Sequence, residues 1–459
     1  VSAWDLRIGD ALEQLAEMED RSVHCCITSP PFYGLRDYGT GEWEGGDPEC
    51  DHVKGELRRG VNLAQSVHST RGGAKKAAEV ENVAYGRLCG KCGATRIDQQ
   101  IGLESTPDGY VAKLVEVFRE VKRVLRDDGT LWLNLGDSYA GSWGAQSRGA
   151  ADNGTSTIDG AEKRAGSPLS GRQIMSAPKG SRIGTIREAG CKPKDLYGIP
   201  WMVAFALRAD GWYLRRDIIW SKPNPMPESV IDRPTSAHEY VFLLSKSARY
   251  YYDAEAIREP ASYAGPNGTI CSPYGQGFAA RTPEQETAPQ DKQRGHSRRH
   301  AGFNERWDAM TKVEQAALGR NKRSVWEIAT RPYPEAHFAT YPAQLIEPMV
   351  LAGVPRQACG VCGAPWERMV EITYENPGGR TTNGPRSAER KHLGWRCTCE
   401  HEDGTEVGVV LDPFVGSGTT LEVAVRNGRS AIGIDLNPDS TRLVKQRVAG
   451  VTPSMFDAV

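Results

Sequence analysis

VHCCITSPPFYG, residues 23–34, is the stretch around which the chain is laid out. Val23 to Thr28 is a short apolar, β-branched run and predicts a buried strand. It stops at Ser29-Pro30-Pro31, where two consecutive prolines remove two backbone donors, fix φ and keep Ser29 out of the helical region. The strand therefore ends in a stiff, extended turn, followed by Phe32, Tyr33 and Gly34. That turn leaves the Ser29 hydroxyl and the Pro30 carbonyl free to accept hydrogen bonds beside an aromatic ring. A planar ring carrying an amino group suits such a tip: the ring stacks on Phe32 and the amine donates to the two oxygens. A proline-rich turn after a core strand is the plainer alternative, and on this stretch alone both readings stand.

The far end of the chain shifts the balance. Residues 407–437 read VGVVLDPFVGSGTTLEVAVRNGRSAIGIDLN. This is a strand, Asp412-Pro413-Phe414, a Gly416-Ser417-Gly418 turn, a helix over about Thr419–Arg426, a strand over Ala431–Ile434 and an acid at Asp435. Glycines between a strand and a helix let the backbone approach a ligand closely, and an acid after the next strand can accept from ribose hydroxyls. The unit has neither the GxGxxG dinucleotide fingerprint nor a Walker lysine, so it suits a nucleoside-bearing ligand without a pyrophosphate.

Between these anchors the pattern alternates strand and helix. Leu6–Asp10 predicts a strand and Ala11–Met18 a helix. Tyr110–Leu125 has helical periodicity, closed by Asp127-Asp128-Gly129 with Gly129 as the left-handed residue after its end. Thr130–Leu135 predicts a strand ending in Gly136-Asp137-Ser138. A helix over Pro200–Ala209 and strands over Tyr213–Trp220 and Glu239–Leu244 follow, and no internal repeat is visible. Five predicted strands thus end in a polar group, at Asp10, Ser29, Asp137, Asp412 and Asp435. Each acid could simply cap a helix or turn. Five together favour a ligand site, because open α/β sheets collect ligands beyond the carboxyl ends of their strands.

Composition excludes several classes. With 57 Lys+Arg against 58 Asp+Glu, no global basic field advertises nucleic acid, and local segments must carry that signal. No apolar run approaches the ~20 residues that span a membrane. The start, VSAWDLRIGDAL, lacks the layout of a signal peptide, so a cytoplasmic protein is expected. Eleven cysteines in such a chain argue against a disulfide framework. Cys25 and Cys26 read as core residues.

The order of the two anchors carries a resemblance. TSPPF (28–32) preceding DPFVGSGTT (412–420) resembles the S-adenosylmethionine-dependent DNA amino-methyltransferases of the β permutation group. HFATYPAQL (337–345) is similar to the segment before the cofactor motif of that group, and WSKPNPMPES (220–229) and HEYVFLLSK (238–246) to its linking motifs. The resemblance implies a Rossmann-like methyltransferase fold, α/β, in circularly permuted motif order. The catalytic domain would comprise 1–40, 101–140, 195–258, 324–358 and 404–459. By the same resemblance, Ser29, Pro30, Pro31 and Phe32 would receive the target base. Phe414, Gly416, Gly418, Thr419 and Thr420 would line the cofactor together with Asp412, Asp435 would hold the ribose, and Asp10 would lie near the adenine or sulfonium side. Ser before the two prolines is typical of cytosine-N4 enzymes, whereas adenine-N6 enzymes usually carry Asp or Asn. A cytosine-N4 enzyme acting on a flipped base is therefore expected. The adenine-N6 enzyme is the alternative within the family, and a non-catalytic zinc-bearing DNA-binding protein the alternative outside it. Double-stranded DNA is the implied partner, in a bacterial or phage setting. A second copy of the chain and a cognate restriction endonuclease are further partners that the resemblance allows.

Two cysteine clusters lie outside these motifs. Cys359-x2-Cys362 with Cys397-x-Cys399 is a four-thiolate set of zinc-ribbon type within 359–403, and His401 is an alternative ligand. Cys50-x-His52 with Cys89-x2-Cys92, within 41–100, offers three thiolates and an imidazole. Two structural zinc ions are expected. Residues 141–194, with nine Lys/Arg against four Asp/Glu and almost no periodicity, read as a flexible insertion. Residues 259–323 are the expected target-recognition region, where Arg294, Arg298, Arg299, Arg306, Lys322 and Arg323 are the candidate phosphate or base-edge contacts.

Overall fold

The computed structural model describes residues 3–34, 40–52, 89–104, 106–140, 191–192, 194–228, 231–259, 319–331, 340–375, 387–401 and 404–451. Arg294, Arg298, Arg299 and Arg306, and residues 141–190 and 193 of the insertion 141–194, lie outside them. The chain runs through β1 (Trp4–Ile8), α1 (Ala11–Ala16), β2 (Val23–Thr28), β3 (Glu42–Glu44), β4 (Thr95–Ile97), α2 (Pro107–Val124) and β5 (Leu125–Leu135). It continues through α3 (Ile199–Ala209), β6 (Tyr213–Ser221), β7 (His238–Ser245), β8 (Val325–Glu327) and α4 (Ala343–Gly353). Then come β9 (Ala358–Cys359), β10 (Trp366–Glu375), β11 (Ser387–Cys397), β12 (Thr405–Glu406), β13 (Val409–Asp412), α5 (Thr419–Arg426), β14 (Ser430–Asp435) and α6 (Ser440–Ala449).

One eight-stranded sheet has the order β1-β14-β13-β2-β5-β7-β6-β8. All its strands run the same way except β7, which is antiparallel to both β5 and β6. The first strand pairs with the last along its whole length, Trp4 with Ala431 through Ile8 with Asp435. Helices cover both faces, as a parallel sheet requires. On one face Leu15 of α1, Tyr110, Leu114, Val117, Phe118 and Val121 of α2, and Val203 and Leu207 of α3 pack together. On the other, Leu345, Met349 and Val350 of α4 join Leu421 and Val425 of α5 and Val444 of α6. β2 sends Cys26 into the first layer and Cys25 and Ile27 into the second, which is why it reads as an unbroken buried run.

The apolar stripe of α2 makes it the main prop of the first face; each fully buried large side chain there is worth about 1.5–3 kcal/mol. Thr106 caps it by accepting from the Gly109 N–H at 3.1 Å, Pro107 opens it, and Lys122 and Arg123 sit in its last turn. The Arg123 guanidinium donates to the Leu15 and Met18 carbonyls at 2.7 and 2.8 Å and ties α1 to it. The helix ends at Val124, and Gly129 does not close it: that glycine lies inside β5. The Arg126–Gly129 segment loops out of register against β2. There the Asp128 and Gly129 carbonyls accept from the Tyr251 and Lys246 N–H groups, a tertiary pull that helical periodicity does not contain. Within the cysteine-bearing stretch β10 and β11 form an antiparallel hairpin that pairs Trp366 with Cys397 through Glu375 with Ser387. No helix among the described residues is long and apolar enough to cross a membrane.

Candidate active site and metal sites

Sheet order converts scattered sequence positions into a row. Asp10, Asp435, Asp412, Ser29 and Asp137 follow the neighbouring strands β1, β14, β13, β2 and β5 at one edge. Connections leave β13 towards β14 and β2 towards β5, so the boundary between β13 and β2 is the topological switch point where a crevice opens. Thr28 spans it, donating from Oγ1 to Asp412 Oδ1 at 2.6 Å.

Asp412 is fully buried and its carboxylate takes four donors. Besides Thr28 these are the Phe414 N–H at 3.1 Å on Oδ1, and the Thr420 and Tyr341 hydroxyls at 2.7 and 2.8 Å on Oδ2. Burial raises its pKa and these hydrogen bonds oppose the rise. Asp412 and Thr420 therefore brace the turn from behind, and Tyr341, from the 337–345 stretch, is a third member that motif reading did not single out. In front of this brace Gly416 and Gly418 adopt left-handed φ of 51° and 85°, and Gly418 opens α5. Asp435 clasps the same turn: Oδ2 accepts from the Gly416 N–H and Oδ1 from the Asn437 N–H, both at 2.8 Å, and burial raises its pKa. Asp10 caps α1 by accepting from the Leu12 and Glu13 N–H groups at 2.9 and 3.3 Å. Asp137 accepts from the Ser138, Gly198 and Ile199 N–H groups and so fixes the start of α3; burial raises its pKa too. Every acid in the row thus does the local capping work considered from sequence, and the sheet still lines them up.

At Ser29 the hydrogen bonds have a direction. Asn134, buried at the end of β5, donates its amide hydrogens to Glu239 Oε2 at 3.1 Å and the Tyr240 carbonyl at 3.2 Å. Both partners only accept, so Asn134 Oδ1 faces Ser29, and the Ser29 hydroxyl donates to it at 3.1 Å. The Ser29 proton is committed, which leaves the oxygen's lone pairs to accept. Lys222 pairs with Glu239 and lies 4.5 Å from the Trp220 ring centroid, closing the chain of charges. The antiparallel strand β7 delivers Glu239, 105 residues from Asn134 in sequence. Asn134, the one amide in the buried end of β5, was the available sequence signal.

Phe32 packs its ring over Gly136: a Cβ there would lie 2.6 Å from the ring, so only glycine fits. The Tyr110 hydroxyl donates to the Pro31 carbonyl at 2.9 Å and pins the turn from α2. Tyr33 is core, in ring contact with Tyr110 and Tyr197 at 5.6 and 5.5 Å.

Both cysteine clusters converge. The sulfur and imidazole atoms of Cys50, His52, Cys89 and Cys92 all lie within 4.8 Å of one another, and so do those of Cys359, Cys362, Cys399 and His401. In the second set His401, the alternative ligand of the sequence reading, belongs to the mutually close four, while Cys397 lies 3.2 Å from Cys399 but outside them. Backbone N–H groups aimed at the sulfurs lower Cys89 to about 5 and Cys359 to about 6, whereas burial raises Cys50 and the Cys397 sulfur raises Cys399. Among the basic candidates, Lys322 and Arg323 both pair with Glu259, at 3.6 and 3.4 Å. A shallow cavity of about 290 Å³ lined by Arg356, Gln357, Thr405 and Glu406 lies away from the row.

An open α/β sheet thus carries a glycine turn, a buried acid and a Ser-Pro-Pro-Phe tip across one switch point. The comparisons give the family: its model, described as DNA methylase of the N6/N4 methyltransferase type, matches residues 23–358 and 402–446. The chain belongs to this family of DNA amino-methyltransferases. The internal stretch that the match leaves out, 359–401, is the one that carries the second Cys/His cluster. Type II methyltransferase M.SmaI of Serratia marcescens is 32% identical over 441 residues, 96% of this chain and 89% of that one. Type II methyltransferase M.Cfr9I of Citrobacter freundii is 32% identical over 448 residues, 96% and 86% of the two chains. The solved structure of PvuII DNA methyltransferase (cytosine-N4-specific) is a distant likeness, with TM-score 0.43 and 14% identity over 97% of this chain and 88% of that one.

Proposed function

We propose that this DNA methyltransferase transfers a methyl group from S-adenosylmethionine to the exocyclic N4 amine of a cytosine flipped out of duplex DNA. The observation that carries the reading is the polarised hydroxyl of Ser29, an acceptor by virtue of Asn134, in the TSPPF context that marks cytosine-N4 enzymes. The row fits the cofactor: the side-chain-free turn at Gly416 and Gly418 admits backbone contact, and the Asp435 carboxylate, with the Gly416, Asn437 and Ser440 donors in place, keeps a lone pair for a ribose hydroxyl. When bound, the cofactor supplies an electrophilic methyl on its sulfonium. Phe414, Gly416, Gly418 and Thr419 would hold it in front of the Asp412–Thr420 brace, with Asp10 at the far end of the row.

The chain's own part is positioning. An exocyclic amine is a poor nucleophile because its lone pair is delocalised into the ring. Acceptors at Ser29 Oγ and the Pro30 carbonyl bind its two hydrogens and turn the lone pair towards the methyl, which makes positioning and electrostatics the main catalytic terms. A base inside a duplex cannot reach a crevice at a sheet edge, so it must be extruded, and Phe32 replaces the lost stacking. Lys322 and Arg323, with the basic residues of 259–323, would contact phosphates or base edges. The Cys/His sets would hold two structural zinc ions. The Type II designation of the relatives supports service alongside a cognate restriction endonuclease.

Nucleoside mass spectrometry on unmethylated DNA incubated with the protein and isotopically labelled S-adenosylmethionine tests the reading. Labelled N4-methylcytosine, abolished by Ser29→Ala, is expected. Labelled N6-methyladenine overturns the base assignment and keeps the machine. Cofactor binding with no labelled base on varied DNA overturns catalysis in favour of a zinc-bearing DNA-binding protein.

A further inference from the structure

The two metal sets share a local build. CGKCGA at 89–94 and CGVCGA at 359–364 are the same six-residue turn used twice, a match confined to that turn. In each, the first cysteine's N–H donates to the alanine carbonyl, Cys89 to Ala94 at 2.7 Å and Cys359 to Ala364 at 2.9 Å. The second glycine donates back to that cysteine's carbonyl, at 2.9 and 2.8 Å, with φ of 78° at Gly93 and 67° at Gly363. Three sulfurs and an imidazole lie within 4.8 Å of one another in both cases, a donor set that fits a closed structural zinc site.

Their anchor points differ. The first set sits at the tip of the β3–β4 hairpin, where Trp43 stacks on His52 at 5.3 Å. The base of that hairpin is the catalytic turn: Thr40 donates to Asp98 at 3.0 Å, the Gly34 N–H donates to the Gly102 carbonyl at 2.9 Å, and Gly102 lies against the Phe32 carbonyl. The second set grips the opposite edge of the sheet, at the amino ends of β2 and β5. His24 Nδ1 accepts from the Val409 N–H at 3.0 Å, so its Nε2–H donates to the Gly363 carbonyl at 2.9 Å. Arg126 donates to the Cys362 carbonyl at 2.6 Å.

Resting on the zinc reading above, we propose that the two ions do different work. Zinc on Cys50, His52, Cys89 and Cys92 stiffens a substrate-side hairpin that backs the Phe32 turn and engages DNA. Zinc on Cys359, Cys362, Cys399 and His401 clamps the far edge of the catalytic sheet. Elemental analysis of the full chain is expected to give about two zinc ions. Cys50→Ser with Cys92→Ser removes one ion and raises KM for unmethylated plasmid DNA about tenfold or more, leaving S-adenosylmethionine affinity and the thermal midpoint near wild type. Cys359→Ser with Cys362→Ser removes the other ion and lowers the midpoint by about 5 °C or more, leaving that KM unchanged. Should the second pair fail to fold, single variants decide: Cys397→Ser keeps both ions, and His401→Ala loses one to a chelator at least about tenfold faster. A metal-free wild-type protein overturns the zinc reading and the inference with it. Two ions present with the KM and midpoint effects equal or exchanged between the sets overturns the division of labour alone. Zinc lost from Cys397→Ser and kept by His401→Ala overturns the ligand assignment.

Discussion

Replacing Asn134 by leucine isolates the direction of the hydrogen bond at Ser29. Leucine keeps the branched shape of asparagine in a larger side chain, and the acceptor for the Ser29 hydroxyl disappears. So do the donors to Glu239 and the Tyr240 carbonyl. The Ser29 proton is then free to turn into the site and oppose the amine that it should receive. A hydrogen bond lost in this way costs about 1–3 kcal/mol, which is about 5- to 150-fold in rate at 1.36 kcal/mol per decade. The loss belongs in kcat, because the interaction matters to the orientation of the amine and not to capture of the duplex. Initial rates of labelled methyl transfer at saturating cofactor, with a thermal melt to show that the variant is folded, measure it. A folded Asn134→Leu protein with wild-type kcat refutes the claim that Asn134 sets the acceptor role of Ser29.

Three further outcomes follow from the same geometry. Burial pushes His24 down to about 4. Its neutral form is built in, and the unfolded chain takes up the proton first as pH falls below about 6.5. About 3 kcal/mol of stability, fully present above that pH, should drain away towards pH 4, about 2 kcal/mol of it by pH 5; urea unfolding that is equally pH-sensitive in His24→Gln sinks this account. Asp412→Asn sets an amide against the hydroxyl donors Thr28, Thr420 and Tyr341 and should cost about 2–4 kcal/mol of unfolding free energy. S-adenosylmethionine affinity should change by only a few-fold, and a fully stable variant that no longer binds the cofactor contradicts the bracing role. Gly136→Ala drives a Cβ to within 2.6 Å of the Phe32 ring. The displaced ring should cost about 1–3 kcal/mol in kcat/KM for DNA, with cofactor affinity unchanged; unaltered DNA kinetics would clear Phe32 of contact with the base.

The chain by itself determined the strand tips and their chemistry. Val23–Thr28 ends at Ser29 because consecutive prolines permit nothing else, and the strand–glycine–helix–strand–acid unit at 407–437 is legible because its turn needs residues without side chains. The cysteine pairs announced metal sets because thiolates at such spacings share one turn. What sequence could not order was the pairing between distant strands. That β1 lies beside β14, that Thr28 reaches Asp412 across 384 residues, and that β7 brings Glu239 to Asn134 are decisions of packing two helical layers on one sheet. The same packing explains the misses. Gly129 went into a strand because neighbouring backbone groups claim its segment, and His401 rather than Cys397 falls within the mutually close four because the chain after β11 folds back, which spacing does not reveal. Local propensity sets what each tip can do; only tertiary contacts, which carry no period along the chain, set which tips meet.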